Sequence, residues 1–199
     1  MSESPAPAKP VSTARRRVLR AAAAVVGALA LALGASIATT VRADAPADGA
    51  PAPKFRLQDQ TGRWVTLDEQ KGRWVVLYFY PKDDTPGCTT EACQFRDNIF
   101  AFREAGAVVL GVSVDDVESH GKFASENKLP FPILADSTKA TAKAYGVLYK
   151  ALGLFELARR ETFLIDPQGR IAKHYTDVDP KEHSAVVLRD LKSLRARSG

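Results

Sequence analysis

The two cysteines of the chain lie five residues apart in one stretch, Tyr80-Pro81-Lys82-Asp83-Asp84-Thr85-Pro86-Gly87-Cys88-Thr89-Thr90-Glu91-Ala92-Cys93. A thiolate is a strong nucleophile, but an ordinary thiol with a pKa near 8.5 is only about a few per cent thiolate at pH 7. The setting of Cys88 addresses that. It follows the strand-like run Val75-Val76-Leu77-Tyr78-Phe79 and opens a segment with helical periodicity, so it falls where a strand hands over to the first turn of a helix. A helix N-terminus presents unpaired N–H groups and the positive end of the macrodipole, and both favour an anion. With a cation nearby, a downward shift of about two units would make the thiolate the major form.

Other chemistries have less support. Two thiols without neighbouring ligands, and His120, His174 and His183 without metal spacing, give no reason to expect a metal or another cofactor. His120 and His183 are expected at helix starts and His174 on the exposed face of a strand. A structural disulfide is the ordinary use of two cysteines in an exported domain. It is opposed here because five helical residues span about 7.5 Å of rise and about 140° of rotation, against about 7 Å between the Cα atoms of a disulfide. A thioredoxin-like disulfide oxidoreductase would want Cys-x-x-Cys, whereas this chain has four residues between its cysteines.

The elements that must position these thiols read as follows. The 199 residues, 45% hydrophobic, suit one domain with a real core. The net charge of +5 comes entirely from Lys9, Arg15, Arg16, Arg17, Arg20 and Arg42 against Glu3, so the rest is formally neutral and a nucleic-acid surface is not expected. Residues 1–43 have the order of an export signal: a basic block at Arg15 to Arg20, an uncharged Ala-rich run from Ala21 to Val41, and small residues up to Ala43. A cleaved signal and an uncleaved anchor are both compatible with a run of that length. Either places the domain outside the cytoplasmic membrane, and only this segment would touch a membrane. Residues 44–54, with Pro46, Pro51 and Pro53, are expected to form an extended linker, and residues 55–199 the folded domain.

Within that domain a hairpin is expected around Asp59-Gln60-Thr61-Gly62, and doubly covered strands at Trp74 to Tyr80 and Val108 to Val114. An amphipathic helix is expected from Thr89 to Ala105 on Ala92, Phe95, Ile99 and Phe102, with Phe100 in the core or pocket wall. Further helices are expected at Ser119 to Asn127, Thr138 to Tyr145 and Lys181 to Ala196, and a hairpin around Asp166-Pro167-Gln168-Gly169. Val147 to Ala158 reads as an apolar, poorly patterned loop; a non-enzymatic holdase or interaction domain would use it as a contact surface. The sum is an α/β layered domain.

The element order and the Cys-bearing junction resemble the thioredoxin fold, with a central mixed sheet flanked by helices and an N-terminal hairpin extension. Tyr80-Pro81-Lys82 through Thr85-Pro86-Gly87-Cys88, with Cys93 and Phe95-Arg96-Asp97 after it, resembles the peroxiredoxins of the bacterioferritin comigratory protein, or peroxiredoxin Q, subfamily. The likeness runs from about residue 50 to the C-terminus and includes Leu129 to Asp136 and Thr162 to Asp166. The basic block also resembles a twin-arginine motif, with Ala14 and Val18 departing from the usual residues.

The subfamily resemblance implies a thiol-dependent peroxidase acting on hydrogen peroxide and organic hydroperoxides. Cys88 would be the peroxidatic nucleophile and Cys93 the resolving thiol, joined in an intramolecular disulfide that a thioredoxin-like dithiol reduces. It also implies Thr85 and Arg160 as thiolate and peroxide partners, with Arg159 one register away as the alternative. Pro81, Pro86 and Gly87 would shape the pocket, and a monomer is implied. If the cysteines start on one intact helix, that disulfide closes only after local unwinding.

Overall fold

The computed structural model describes residues 44–198. The expected export segment therefore lies outside the described residues. Among those described, no helix is long and apolar enough to cross a membrane.

Seven strands form one mixed sheet: β1 (Arg56–Asp59), β2 (Trp64–Thr66), β3 (Trp74–Phe79), β4 (Ala107–Ser113), β5 (Ile133–Ala135), β8 (Glu161–Ile165) and β9 (Ile171–Tyr175). Their spatial order is β2-β1-β5-β4-β3-β8-β9. Strands β3, β4 and β5 run parallel, while β8 is antiparallel to β3 and β1 antiparallel to β5. Every residue of β3 is buried because the strand feeds two cores at once. Val76 and Tyr78 face one side, and Val75, Leu77 and Phe79 the other. Each such side chain contributes about 1.5–3 kcal/mol relative to exposure. Tyr78 also explains a glycine in the adjacent strand: a Cβ at Gly111 would meet the Tyr78 hydroxyl at 2.7 Å.

The first core is covered by helices α1 (Pro86–Asp97), α2 (Ile99–Glu104), α3 (Val117–Glu126) and α5 (His183–Ser198), through Phe95, Phe102, Phe123 and Leu191 among others. The second is closed by α4 (Ala140–Ala144) with Tyr145, and by the β1–β2 hairpin. Asp116 caps α3 by accepting from the Ser119 amide at 2.9 Å, which starts that helix two residues before the expected Ser119. The fold is the expected thioredoxin-like α/β arrangement, and the hairpin extension is the sheet's own edge.

Four local expectations are corrected. The expected helix from Thr89 to Ala105 is broken at Asn98, whose side-chain amide donates to the Gln94 carbonyl and to Ser184 Oγ, pinning the break against α5. Residues 44–54 are docked rather than a free linker: the Gly49 amide donates to Ile171 O, the Ala52 amide to Gly169 O, and Ala52 is buried. The apolar loop after Val147 is a hairpin of β6 (Leu148–Ala151) and β7 (Phe155–Ala158), a separate two-stranded sheet with Leu152, Leu154 and Phe155 exposed at its end. Phe100 is 73% exposed, because one residue on from Ile99 it points about 100° away from the buried face that Ile99 and Phe102 share.

Candidate active site

Thr85 is the extended N-cap residue of α1 and Pro86 occupies its first turn, so Cys88 sits third in the helix, and the residue is 1% exposed. The amides of Gly87 and Cys88 belong to the first turn, where no intrahelical acceptor exists. The strand pairing then delivers a cation. Phe79 at the end of β3 stands opposite Glu161 at the start of β8, which sets Arg160 beside the β3–α1 junction. Its Nη2 donates to Cys88 Sγ at 3.2 Å. Its Nη1 pairs with Glu91 Oε2, so one guanidinium serves both groups.

Burial works against the Arg160 charge, but Glu91 and Cys88 outweigh it and hold the guanidinium protonated. Burial pushes the Glu91 carboxyl up to about 7 despite that pairing. Behind the thiol, Tyr78 is fully buried and its ionisation is pushed well up by burial and then by Glu91 and Cys88. His183, buried at the start of α5 with Nε2 2.7 Å from Thr162 Oγ1, is pushed down to about 4 by burial and by Arg160.

A second polar cluster holds the loop before the helix. Asp83 is 3% exposed and accepts from Tyr80 Oη and Ser119 Oγ, each at 2.7 Å, and lies 2.8 Å from His120 Nδ1. Burial alone would raise Asp83, but these partners hold it below the ordinary carboxylate value. The Asp83 amide in turn donates to Asp115 Oδ2 at 2.9 Å. The loop that carries Thr85 is thereby tied to β4 and α3. Thr85 Oγ1 donates to the Lys82 carbonyl at 3.1 Å, which leaves its lone pairs available as acceptors.

Of the residues expected at the site, Cys88, Gly87 and Arg160 come together: a Cβ at Gly87 would lie 3.2 Å from Arg160 Nη2 and 3.7 Å from Pro180. Thr85 and Pro86 flank them in the chain, Pro86 exposed and Pro81 half-buried. Arg159 is elsewhere engaged, with Glu161 Oε1 at 2.7 Å and the Gly146 carbonyl. Cys93 is apart from the cluster, half-buried, with its thiol 3.8 Å from Asn127 Oδ1. Both cysteines are free thiols on α1. Ideal helix geometry separates their Cα atoms by about 8.6 Å, with side chains on different faces.

Sequence reasoning missed Glu91, His183 and the Asp83–His120 pair. Glu91 had a signal, since residues three apart on a helix share a face and Cys88 is three before it. His120 lies in the first turn of α3 as expected, but it is 0% exposed, and no local pattern links it to Asp83, 37 positions away. His174, by contrast, is not on an exposed face; its ring stacks on Phe163 at 4.1 Å and Nε2 pairs with Glu161 at 2.8 Å. A cavity of about 680 Å³ between Arg63, Arg73, Arg103 and Phe131 includes none of these residues. Reactive groups mark the site better than concavity does.

Residues 49–174 match the AhpC/TSA family. The chain is 46% identical over 149 residues to peroxiredoxin Bcp of Bacillus subtilis, spanning 73% of this chain and 95% of that protein. It is also 46% identical over 146 residues to the chloroplastic peroxiredoxin Q of Arabidopsis thaliana, spanning 73% and 67%. The crystal structure of peroxidoxin BcpB from Mycobacterium tuberculosis superposes with a TM-score of 0.70 at 34% identity, covering 74% of this chain and 97% of that one. A cysteine-to-serine variant of Xylella fastidiosa PrxQ gives 0.72 at 34% identity, covering 75% and 98%. With a buried thiol at a helix start on a thioredoxin-like fold, and relatives of this extent, the chain belongs to the AhpC/TSA family as a thiol peroxidase of the peroxiredoxin Q/Bcp group.

Proposed function

We propose that Cys88 is the peroxidatic residue and Cys93 the resolving one. The observation that carries this reading is the Arg160 guanidinium, 3.2 Å from Cys88 Sγ at the start of α1. The Cys88 thiolate attacks one oxygen of hydrogen peroxide or an organic hydroperoxide. The S–O bond forms as the O–O bond breaks, the sulfur is oxidised to a sulfenic acid, and the leaving oxygen takes up a proton as water or an alcohol. Arg160 stabilises both the thiolate and the charge moving onto the leaving oxygen. Thr85 Oγ accepts from the peroxide, and the Gly87 and Cys88 amides face it. Pro81, Pro86 and Gly87 set the pocket.

Cys93 then attacks the Cys88 sulfenic acid, releasing water and forming an intramolecular disulfide. Two groups about 8.6 Å apart at Cα exceed disulfide reach, so α1 unwinds locally in each turnover. A thioredoxin-like dithiol supplies two electrons and restores both thiols. Peroxide consumption with such a reductant tests the roles. Cys88→Ser is expected to abolish turnover, and Cys93→Ser turning over at the wild-type rate with a dithiol protein would refute the resolving role.

The enzyme works outside the cytoplasmic membrane as a monomer. Residues 1–43 form the export signal, of twin-arginine type on Arg15-Arg16-Arg17-Val18-Leu19-Arg20, and the enzyme domain follows the segment 44–54. N-terminal sequencing of the soluble extracytoplasmic protein checks this. A terminus near Asp44 is expected, whereas Met1 or Ser2 there would contradict cleavage.

A further inference from the structure

Glu91 is 1% exposed, and Arg160 is the partner that compensates its charge. Its Oε2 takes Nη1 of that guanidinium, while Oε1 has no hydrogen-bond partner among the described residues. The neighbouring nitrogen of the same guanidinium donates to Cys88 Sγ at 3.2 Å. Two acids therefore converge on one buried cation. With one of them ionised, the cluster of Glu91, Arg160 and Cys88 is neutral. With both ionised it carries a net negative charge on a carboxyl and a thiol whose residues are each 1% exposed, and such a charge is expensive. The other titratable groups facing the cluster do not relieve it. Tyr78 from β3 has its ionisation pushed well up, His183 from α5 is pushed down to about 4, and Asp83 in the loop before α1 is held as a carboxylate.

We propose that Glu91 is a positioning residue that controls the charge of Cys88 through Arg160: the Glu91 carboxylate and the Cys88 thiolate compete for one guanidinium, so a proton on Glu91 releases Arg160 to the sulfur. The exchange is a proton equilibrium, Glu91 carboxylic acid with thiolate on one side and carboxylate with thiol on the other, and no electron moves. Burial sets the Glu91 carboxyl at about 7, inside the working range of a compartment whose pH follows the surroundings. On mild acidification Glu91 takes up the proton and Cys88 keeps the guanidinium, so thiolate is retained where an uncoupled thiol would lose it. This rests on Cys88 acting as a thiolate.

The test is a titration rather than an activity. In the full chain carrying Cys93→Ser, absorbance at 240 nm reports the ionisation of Cys88 alone, with the Cys88→Ser, Cys93→Ser chain subtracted. Glu91→Gln keeps the acceptor for Arg160 but removes the competing charge, and it is expected to move the Cys88 midpoint to lower pH by about one unit, tenfold in the thiolate-to-thiol ratio. An unchanged or raised midpoint in a folded Glu91→Gln protein would overturn the proposal.

Coupling must also be reciprocal. In a chain with Glu91 intact, Cys88→Ser is expected to lower the Glu91 midpoint, followed by carboxyl carbon NMR; an unmoved midpoint overturns the proposal even where Glu91→Gln does not fold. Both readouts are independent of peroxide. A coupled titration in a protein that consumes no peroxide would refute the assigned role of Cys88 while leaving the coupling intact, and uncoupled titrations in an active enzyme would do the reverse.

Discussion

Arg160→Lys separates the geometry of the guanidinium from its charge. Arginine reaches two acceptors with two nitrogens of a planar fork, Cys88 Sγ from Nη2 at 3.2 Å and Glu91 Oε2 from Nη1. A lysine ammonium is a single point and cannot hold both from the same backbone position. The carboxylate is buried and keeps the ammonium, so the sulfur loses its donor. Losing a charge-assisted hydrogen bond costs about 2 kcal/mol, or about 30-fold in the rate of thiolate attack. Arg160→Met removes the transition-state contact altogether and is expected to cost about 10²–10³. Stopped-flow measurement of sulfenic acid formation under pseudo-first-order peroxide reads this step without the reductant. Arg159→Lys is the internal control, because Arg159 pairs with Glu161 and touches no sulfur. Arg160→Lys within about threefold of the parent would overturn the two-acceptor role of the guanidinium, as would an equal loss in Arg159→Lys.

Gly87→Ala places a methyl 3.2 Å from Arg160 Nη2 and 3.7 Å from Pro180, so peroxide reactivity is expected to fall about tenfold by displacement of the guanidinium, with the melting temperature nearly unchanged; stopped-flow rates and calorimetry check both. Two opposed contributions to stability against pH are expected, each visible when the other is removed. Glu91 binds its proton more tightly in the fold, about 7 against 4.5, so its contribution is full below 4.5 and is lost as pH rises to about 7. His183 is held neutral in the fold, about 4 against 6.5, so its contribution is full above 6.5 and is lost as pH falls to about 4. Each is worth about 3 kcal/mol across its window and they nearly cancel. Urea unfolding at pH 4.5 and 7 should therefore show Glu91→Gln gaining stability with pH and His183→Asn losing it; parallel profiles in the two variants would contradict the assignments.

The thiol and its helix start were legible because they are local: Pro86-Gly87-Cys88 names a first turn, and Val75 to Phe79 names the strand before it. Arg160 was reachable only through family resemblance, since a cation 72 positions away carries no local mark, and the strand pairing is what separates it from Arg159. Glu91 was legible in principle by its spacing from Cys88, but its glutamate looks like any solvated helix residue until burial is known. The Asn98 break and the β6–β7 hairpin were hidden for a related reason. The amphipathic period runs through Asn98 unbroken, and only its bond to Ser184 of α5 explains the break. The hairpin has no alternating pattern because much of its surface is exposed at the tip.

The proposed Cys88–Cys93 disulfide requires α1, continuous from Pro86 to Asp97, to open before the bond can close. Hydrogen exchange across residues 86–97, measured on the reduced protein and again after one equivalent of hydrogen peroxide, with disulfide mapping on the same samples, tests it directly. A Cys88–Cys93 bond within one chain is expected, accompanied by loss of amide protection along α1. That bond formed with α1 as protected as in the reduced protein, or oxidation that leaves Cys93 a free thiol, would contradict it.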